Sequence, residues 1–325
     1  MEEHQDVPAP EVGKRRRLRE LLSRDEVLVM PGGFSPVYAK MAQLAGFEAF
    51  FLAGSQTAAY VYGLPDVGVM GLGEMADHAR RVAASCEIPV LVDGDTGYGN
   101  AVGVHYAVRE MIRAGVAGMQ IEDQEAPKKS GTSAGRRLIS LAEAVGKYRA
   151  AVDARDALDP EFVICARCDA IGAENAGFEE AIERCRAYAT EGGVDLVWLN
   201  SVQTLEQVGE ACRHVPAPLL VSWGGDGASP SWADFQRLGV RVVLYPVVAS
   251  RAAAQFAWQL LNELRERGPM ALQEAERQAE ASRWGRVKVE ELVGTHEIRE
   301  IEERYLPRDL QRDYEHTFGH RPGGA

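Results

Sequence analysis

Two short segments carry the residues best suited to chemistry. Pro89 to Asn100 reads PVLVDGDTGYGN, and Ala117 to Gln124 reads AGMQIEDQ. Each is an apolar run of strand length that ends in acid: Asp93 and Asp95 in the first, Glu122 and Asp123 in the second. A carboxylate at the end of a buried strand is costly unless it is hydrogen-bonded, paired or close to a cation. Two such ends, separated by one helical stretch, imply a shared acidic site. Hard oxygen donors of this kind suit Mg²⁺, with Mn²⁺ the alternative. The competing role for Asp93 and Asp95 is capping of nearby backbone amides. For Glu122 it is an ion pair with Lys128 or Arg167.

Such a site needs a scaffold that gathers strand ends. Apolar runs recur along the chain as EVLVMPG, AFFLAGS, PVLVDGD, GMQIEDQ, FVICARCD, VDLVWLN, PLLVSWG and VRVVLYP. Continuous rather than alternating apolarity implies burial on both faces, hence a parallel sheet. Helical patterns such as SPVYAKMAQLAG and FEEAIERCRAYATEGG lie between the runs, with Gly46, Gly115 and Gly192 placed as helix ends. About eight βα units predict an α/β fold, a (β/α)₈ TIM-type barrel. An open doubly wound sheet fits less well, because no G-x-G-x-x-G follows the first strand. Polar residues also end nearly every run: Ser35, Ser55, Asp93/Asp95, Glu122/Asp123, Arg167/Asp169, Asn200 and Ser222. In a barrel those ends converge on one mouth.

The net charge of −12 argues against nucleic acid or an anionic membrane as a partner. It still permits a local basic pocket for a small anionic substrate. Five cysteines, an odd number with no C-x-x-C pair, read as reduced thiols in a cytoplasmic protein. No apolar run is long enough to span a bilayer, and no secretory signal core is present. Residues 1–12 read as a disordered arm and 13–325 as one barrel domain, with a helical extension from about residue 268. The basic run KRRRLRELLSR reads as a solvated helix face. Helices over Ser250–Arg267, Ala271–Trp284 and Val289–Tyr305 exceed what a barrel needs. They are expected to pack on another subunit, the alternative being a cap on their own.

The motifs resemble those of the isocitrate lyase and phosphoenolpyruvate mutase superfamily. The matches are GLPDVG at Gly63–Gly68, VDGDTGYGN at Val92–Asn100, IEDQEAPKKSG at Ile121–Gly131, ICARCDA at Ile164–Ala170 and REIEERYL near the C-terminus. Its short-chain members include methylisocitrate lyase, dimethylmalate lyase, oxaloacetate hydrolase or decarboxylase, and carboxyphosphonoenolpyruvate phosphonomutase. The resemblance implies a (β/α)₈ barrel, a C-terminal helix exchanged in a homodimer or homotetramer, and Mg²⁺ at the barrel mouth. It implies Asp95 as direct metal ligand, with Asp66, Asp93 and Glu122 holding the ion through waters. Asp66 also reads as a turn residue after Pro65. Gly54, Ser55 and Arg167 would grip the carboxylate of a 2-oxo acid. A guanidinium can clamp a carboxylate with two parallel bonds, although Arg167 also reads as a buried partner of Asp169 or Glu122. Metal and arginine together would stabilise the enolate left when a bond at C3 breaks.

Departures from the family pattern concern the rest of the substrate. Lyases of the family carry Cys-Gly-His on a mobile loop. Here the loop is PKKSGTSAGRR, with Ser130 in place of cysteine, Gly131 retained and Thr132 in place of histidine. Lys128 and Ser130 become the candidate proton-handling residues, and residues 125–137 a basic lid. Plain exposure of that loop is the alternative. Asn200 replaces a glutamate, Ser222 an asparagine, and Cys168 the threonine of ARTD. Cys168 reads first as a threonine substitute and second as a replacement thiol. Trp198 and Trp223 read as an aromatic pocket side or as ordinary packing. GASPSW at Gly227–Trp232 reads as coincidence, and His78, His105 and His214 as surface or packing residues. The implied activity is a Mg²⁺-dependent C–C lyase, hydrolase or decarboxylase on a 2-hydroxy or 2-oxo acid. C–P bond chemistry and non-catalytic 2-oxo acid binding are the alternatives.

Overall fold

In the computed structural model, which describes residues 10–224 and 229–319, the eight apolar runs become eight strands. They are β1 (Leu28–Gly33), β2 (Phe50–Leu52), β3 (Val90–Asp93), β4 (Gly118–Glu122), β5 (Val163–Cys168), β6 (Leu196–Leu199), β7 (Leu219–Val221) and β8 (Val242–Tyr245). Each pairs in parallel with its sequence neighbour, and β1 closes on β8 with Leu28 opposite Val242. The result is a closed eight-stranded barrel ringed by helices.

Strand parity sorts the side chains. Met30, Phe51, Leu91, Cys165, Leu196, Trp198, Leu220 and Leu244 form one buried cluster in the barrel interior. Their neighbours Phe50, Val90, Val92, Ile164, Ala166, Val197 and Val221 belong to a second cluster, packed with the helices. Each fully buried apolar side chain contributes about 1.5–3 kcal/mol. One step further along the interior parity lie Asp93 after Leu91, Arg167 after Cys165, Asn200 after Trp198 and Ser222 after Leu220. The register sets Asp93 opposite Gln120, Glu122 opposite Arg167, and Arg167 opposite Trp198.

The basic run is only in part a solvated face: Arg16 and Arg17 are exposed, but Arg15 is buried. It lies in helix Pro10–Ser23, whose Leu18, Leu21 and Leu22 join the barrel interior cluster. Three of its cations reach carbonyls and acids far along the chain. Lys14 donates to Ala83 O and Cys86 O, Arg15 to Val116 O and Asp159, and Arg19 to Phe162 O and Asp195. Charge at this spacing caps orphaned backbone groups around a leucine plug, a role that a helical charge pattern alone does not show. Residues 1–9 of the expected arm lie outside the described residues, as do Gly227 and Ala228 of GASPSW. A smaller shift concerns one helix end, where Gly193 rather than Gly192 takes the left-handed backbone.

The chain divides into two compact units, Met1–Arg251 and Ala252–Ala325. The sequence reading placed the start of the extension near 268. The later helices are Val248–Arg267, Pro269–Glu280, Val289–Leu292 and Glu297–Tyr305. The single last helix expected over Val289–Tyr305 is therefore broken, with Gly294 at φ +82° in the interruption. Among the described residues no helix is long and apolar enough to cross a membrane. All five cysteines are free.

Candidate active site

The loop leaving β3 is held from several sides. Asp93 accepts the amide of Gly54 on Oδ2 and that of Asp95 on Oδ1, both at 3.0 Å. Gly94 N donates to Gln120 O, Glu122 N donates to Asp95 O, and the buried Lys147 ammonium donates to Thr96 O. Asp95 itself sits at φ +48°, a region Asp tolerates better than most residues. Both oxygens of Asp93 are thus committed to the backbone, so Asp93 also does the capping work considered for it. Burial, then Asp95, push its carboxyl above the usual range.

The Lys128 ammonium fills the space these carboxylates face. Nζ lies 2.6 Å from Asp66 Oδ1, 2.7 Å from Asp95 Oδ1 and 3.7 Å from Glu122 Oε1. The lysine side chain is 2% exposed and Glu122 is fully buried. Burial opposes its charge, but Glu122, Asp95, Asp93 and Asp66 outweigh that and hold it firmly protonated. Glu122 Oε2 lies 3.1 Å from Arg167 Nη1, so both ion pairs considered for Glu122 form. Burial still pushes Glu122 up to about 8, against the pull of Arg167 and Lys128.

Two observations bear on whether a divalent ion fits. Asp95 Oδ1 is buried and lacks a hydrogen bond of ordinary geometry, so the 2.7 Å approach of Lys128 is an ionic contact. The ammonium marks a cation position ringed by hard oxygens from two loops and the end of β4. Among the described residues, no three His, Cys, Asp or Glu side chains stand close enough to ligate one ion directly. A wide cage with one forward carboxylate suits Mg²⁺, which sheds its waters reluctantly. The donor set therefore fits a hydrated ion, not a dry one.

Beside this cage lies a second centre, built on Asp169. Its Oδ1 accepts Arg167 Nη2 at 3.0 Å, Arg136 Nη1 at 3.1 Å and Asn200 Nδ2, and its Oδ2 accepts Gln124 Nε2 at 3.0 Å. Burial opposes ionisation of Asp169, but Arg167, Arg136 and Asn200 outweigh it and hold its carboxyl below the usual range. Asp123 supports it from below, accepting Asp169 N at 2.9 Å and the Tyr188 hydroxyl at 2.6 Å. The Arg167 guanidinium lies 4.6 Å over the Trp198 ring. Its Nε is buried without a hydrogen-bond partner.

The loop 125–137 closes onto this centre. Gly131 O accepts Asn200 Nδ2 at 3.0 Å, Arg136 Nη1 at 2.7 Å and the Ser201 hydroxyl at 3.3 Å. A Cβ on Gly131 would stand 1.9 Å from Arg167 Nη2. Gly131→Ala must therefore move the loop or the guanidinium. We expect kcat/KM to fall about 10²-fold, the usual cost of a misplaced binding group, with thermal stability close to wild type. Unchanged kinetics would show that the loop does not rest on Arg167 during turnover.

Other expected residues fall less centrally. Gly54 and Ser55 open the short helix Gly54–Thr57 after β2, but the Gly54 amide is taken by Asp93. Ser130 and Ser222 are half-buried and Thr132 is exposed. Asn200 binds the loop and Asp169. Cys168 has outward parity: its thiol faces Ala181 O on helix Phe178–Thr190, and burial raises it far above the thiol range. It is no replacement thiol for the mouth. Trp223 meets Phe235 edge-on at 6.0 Å, and so packs with the helices instead of lining the pocket. Sequence reasoning paired Arg167 with Asp169 but missed that Arg136 and Gln124 join Asp169 to the loop. The signal available was Asp169, two residues beyond Arg167 and hence on the same strand parity.

The phosphoenolpyruvate phosphomutase family matches residues 18–265. The chain is 40% identical over 254 residues to 2-methylisocitrate lyase of Aeropyrum pernix, covering 77% of this chain and 80% of that protein. Its fold is similar to oxaloacetate acetylhydrolase in complex with 3,3-difluorooxalacetate, at a TM-score of 0.80 and 30% identity, covering 91% and 98% of the two chains. It is also similar to a phosphonopyruvate hydrolase complexed with oxalate and Mg²⁺, at a TM-score of 0.76 and 30% identity, covering 90% and 99%. Motifs, barrel and these likenesses agree, and the chain belongs to the phosphoenolpyruvate mutase and isocitrate lyase superfamily of enzymes.

Proposed function

We propose that this protein is a Mg²⁺-dependent enzyme that breaks a C–C bond in a 2-oxo or 2-hydroxy di- or tricarboxylate. The observation that carries the reading is Glu122. One of its oxygens faces the cation position held by Lys128, and the other pairs with Arg167. A cation and a guanidinium on one buried carboxylate form a clamp for the two oxygens of a 2-oxo acid. When bound, the metal would act as a Lewis acid on the substrate oxygen at C2. Asp95 would hold it directly, with Asp66, Asp93 and Glu122 acting on its waters. Arg167 would keep the carboxylate oriented through cleavage, offering Nε, and so restrain the enolate that cleavage leaves. The loop 125–137, with Lys128 and Ser130, would exclude water and supply the proton. A serine hydroxyl is a far weaker acid than a thiol. Bond cleavage by decarboxylation, which needs no thiol acid, is therefore the reaction least affected by Ser130. The same substitution favours a second reading, cleavage of a C–P bond, as in the similar phosphonopyruvate hydrolase.

Proton and phosphorus NMR of the purified protein with Mg²⁺ tests this. The pooled panel contains oxaloacetate, 2-methylisocitrate, 2,3-dimethylmalate, phosphoenolpyruvate and phosphonopyruvate. We expect one of the three carbon acids to be consumed, and EDTA to stop its consumption. Exclusive turnover of a phosphorus compound would move the activity to C–P chemistry. Turnover indifferent to EDTA would remove the metal. Oxalate binding without any turnover would make the protein a binder.

The C-terminal helices are read as subunit contacts. Phe256, Trp258 and Leu261 on Val248–Arg267, and Ile298 and Ile301 on Glu297–Tyr305, are exposed. Apolar groups at this density on adjacent turns favour a covered surface. Light scattering is expected to show a dimer or tetramer, and a monomer at micromolar concentration would overturn the exchange of helices.

A further inference from the structure

The mechanism above uses the carboxylate cage for a metal, yet the cage is spanned by a side chain of the lid. We infer that Lys128 and a divalent cation compete for the same position, so that loading the metal expels the Lys128 ammonium and releases one anchor of the loop 125–137. This rests on the metal reading of the site and adds a coupling between metal and lid.

Three features point to exclusion rather than coexistence. Nζ is within 2.7 Å of oxygens on both Asp66 and Asp95, and Asp95 is the carboxylate placed to ligate directly. A divalent ion held by Asp95 would need Oδ1. The Lys128 ammonium already stands 2.7 Å from that buried oxygen. The carboxylates also favour a cation between them. Asp66, Asp95 and Glu122 all face Nζ, Asp93 lies next to them, and like charges so close repel. The Lys128 ammonium now takes that position, with Asp66 and Asp95 both in ionic contact with it. The third feature is the lysine's own placement. Its stem runs under Gly68, where an added Cβ would touch Lys128 Cγ at 3.3 Å, and its side chain is 2% exposed. The flanking backbone is tied separately: Lys129 N donates to Gln124 Oε1, and Gln124 Nε2 donates to Lys129 O, each at 3.0 Å. The four-carbon side chain can therefore leave the cage while the loop's root stays in place.

The consequence is a tax on metal binding. The apparent dissociation constant is the intrinsic one divided by the fraction of molecules whose lysine is out. Removing the ammonium removes the tax.

The test uses MnCl₂ alone, with the full-length protein and its Lys128→Met and Lys128→Gln variants. Mn²⁺ affinity is read by electron paramagnetic resonance, and Lys128 accessibility by reductive methylation and mass spectrometry. The glutamine variant guards against a fold lost by burying a methionine among carboxylates. We expect both variants to bind Mn²⁺ at least about tenfold more tightly than wild type. In wild type we expect Lys128 to be protected without metal and methylated at saturating Mn²⁺. Simple charge repulsion would tighten binding in the variants but leave Lys128 protected, and that pattern overturns the exclusion. Equal affinities in all three proteins overturn it too, while leaving the metal site intact. Failure of every protein to bind Mn²⁺ overturns both the exclusion and the metal reading on which it rests.

Discussion

Asp95→Asn is expected to lower turnover by at least about 10³-fold at saturating Mg²⁺. The substitution keeps size and the left-handed backbone, since Asn tolerates that region as well as Asp. It keeps the two backbone bonds of residue 95, to Asp93 Oδ1 and from Glu122 N. What it removes is the charge on Oδ1, the buried oxygen that lacks an ordinary hydrogen bond and faces the cation position. Electrostatic stabilisers of developing charge are worth about 2.7–4 kcal/mol each, or about 10²–10³-fold in rate. Loss of the metal's Lewis acidity adds to that figure. Steady-state kinetics on the substrate found by NMR, with a thermal melt to confirm folding, would check it. A variant within tenfold of wild type would remove Asp95 from the metal.

Arg167→Lys should cost at least about 10²-fold in kcat/KM, with kcat and KM both affected. The wild-type guanidinium serves Glu122 with Nη1 and Asp169 with Nη2, and still presents an unpartnered Nε. Its Cζ lies 4.6 Å from the centroid of the Trp198 ring. An ammonium is a point donor. It cannot serve two carboxylates and a ligand in one plane, and it stacks less well on an indole. Lysine is chosen over alanine because a buried pair broken on one side costs about 3–5 kcal/mol of stability, which would mix folding with function. A rise in KM alone would reduce Arg167 to uniform binding of the carboxylate. Wild-type kinetics would exclude it from the site.

Much of the scaffold was legible because it is local. Strand length and continuous apolarity identify the eight runs, and parity along each run selects which terminal residues enter the mouth. That rule places Asp93, Glu122, Arg167, Asn200 and Ser222 in common, and the same rule turns Cys168 away. The reading erred where it treated charge without its partners. KRRRLRELLSR has the composition of a solvated face, but its arginines reach carbonyls about a hundred residues distant and its leucines plug the barrel. For Trp223 the packing alternative holds, its ring following outward parity to Phe235.

The sequence by itself determined the barrel, the acidic strand ends and the family, because each depends on residue type and spacing along one segment. Only the tertiary structure decided what each carboxylate faces. Whether Glu122 pairs with Lys128 on the loop or with Arg167 on β5 is a choice between distant segments, and closure of the loop makes it both. Asp169 becomes the junction of Arg167, Arg136, Asn200 and Gln124 for the same reason. Buried charges must be compensated, but which charge compensates which is settled by the approach of distant segments, a property no local pattern carries.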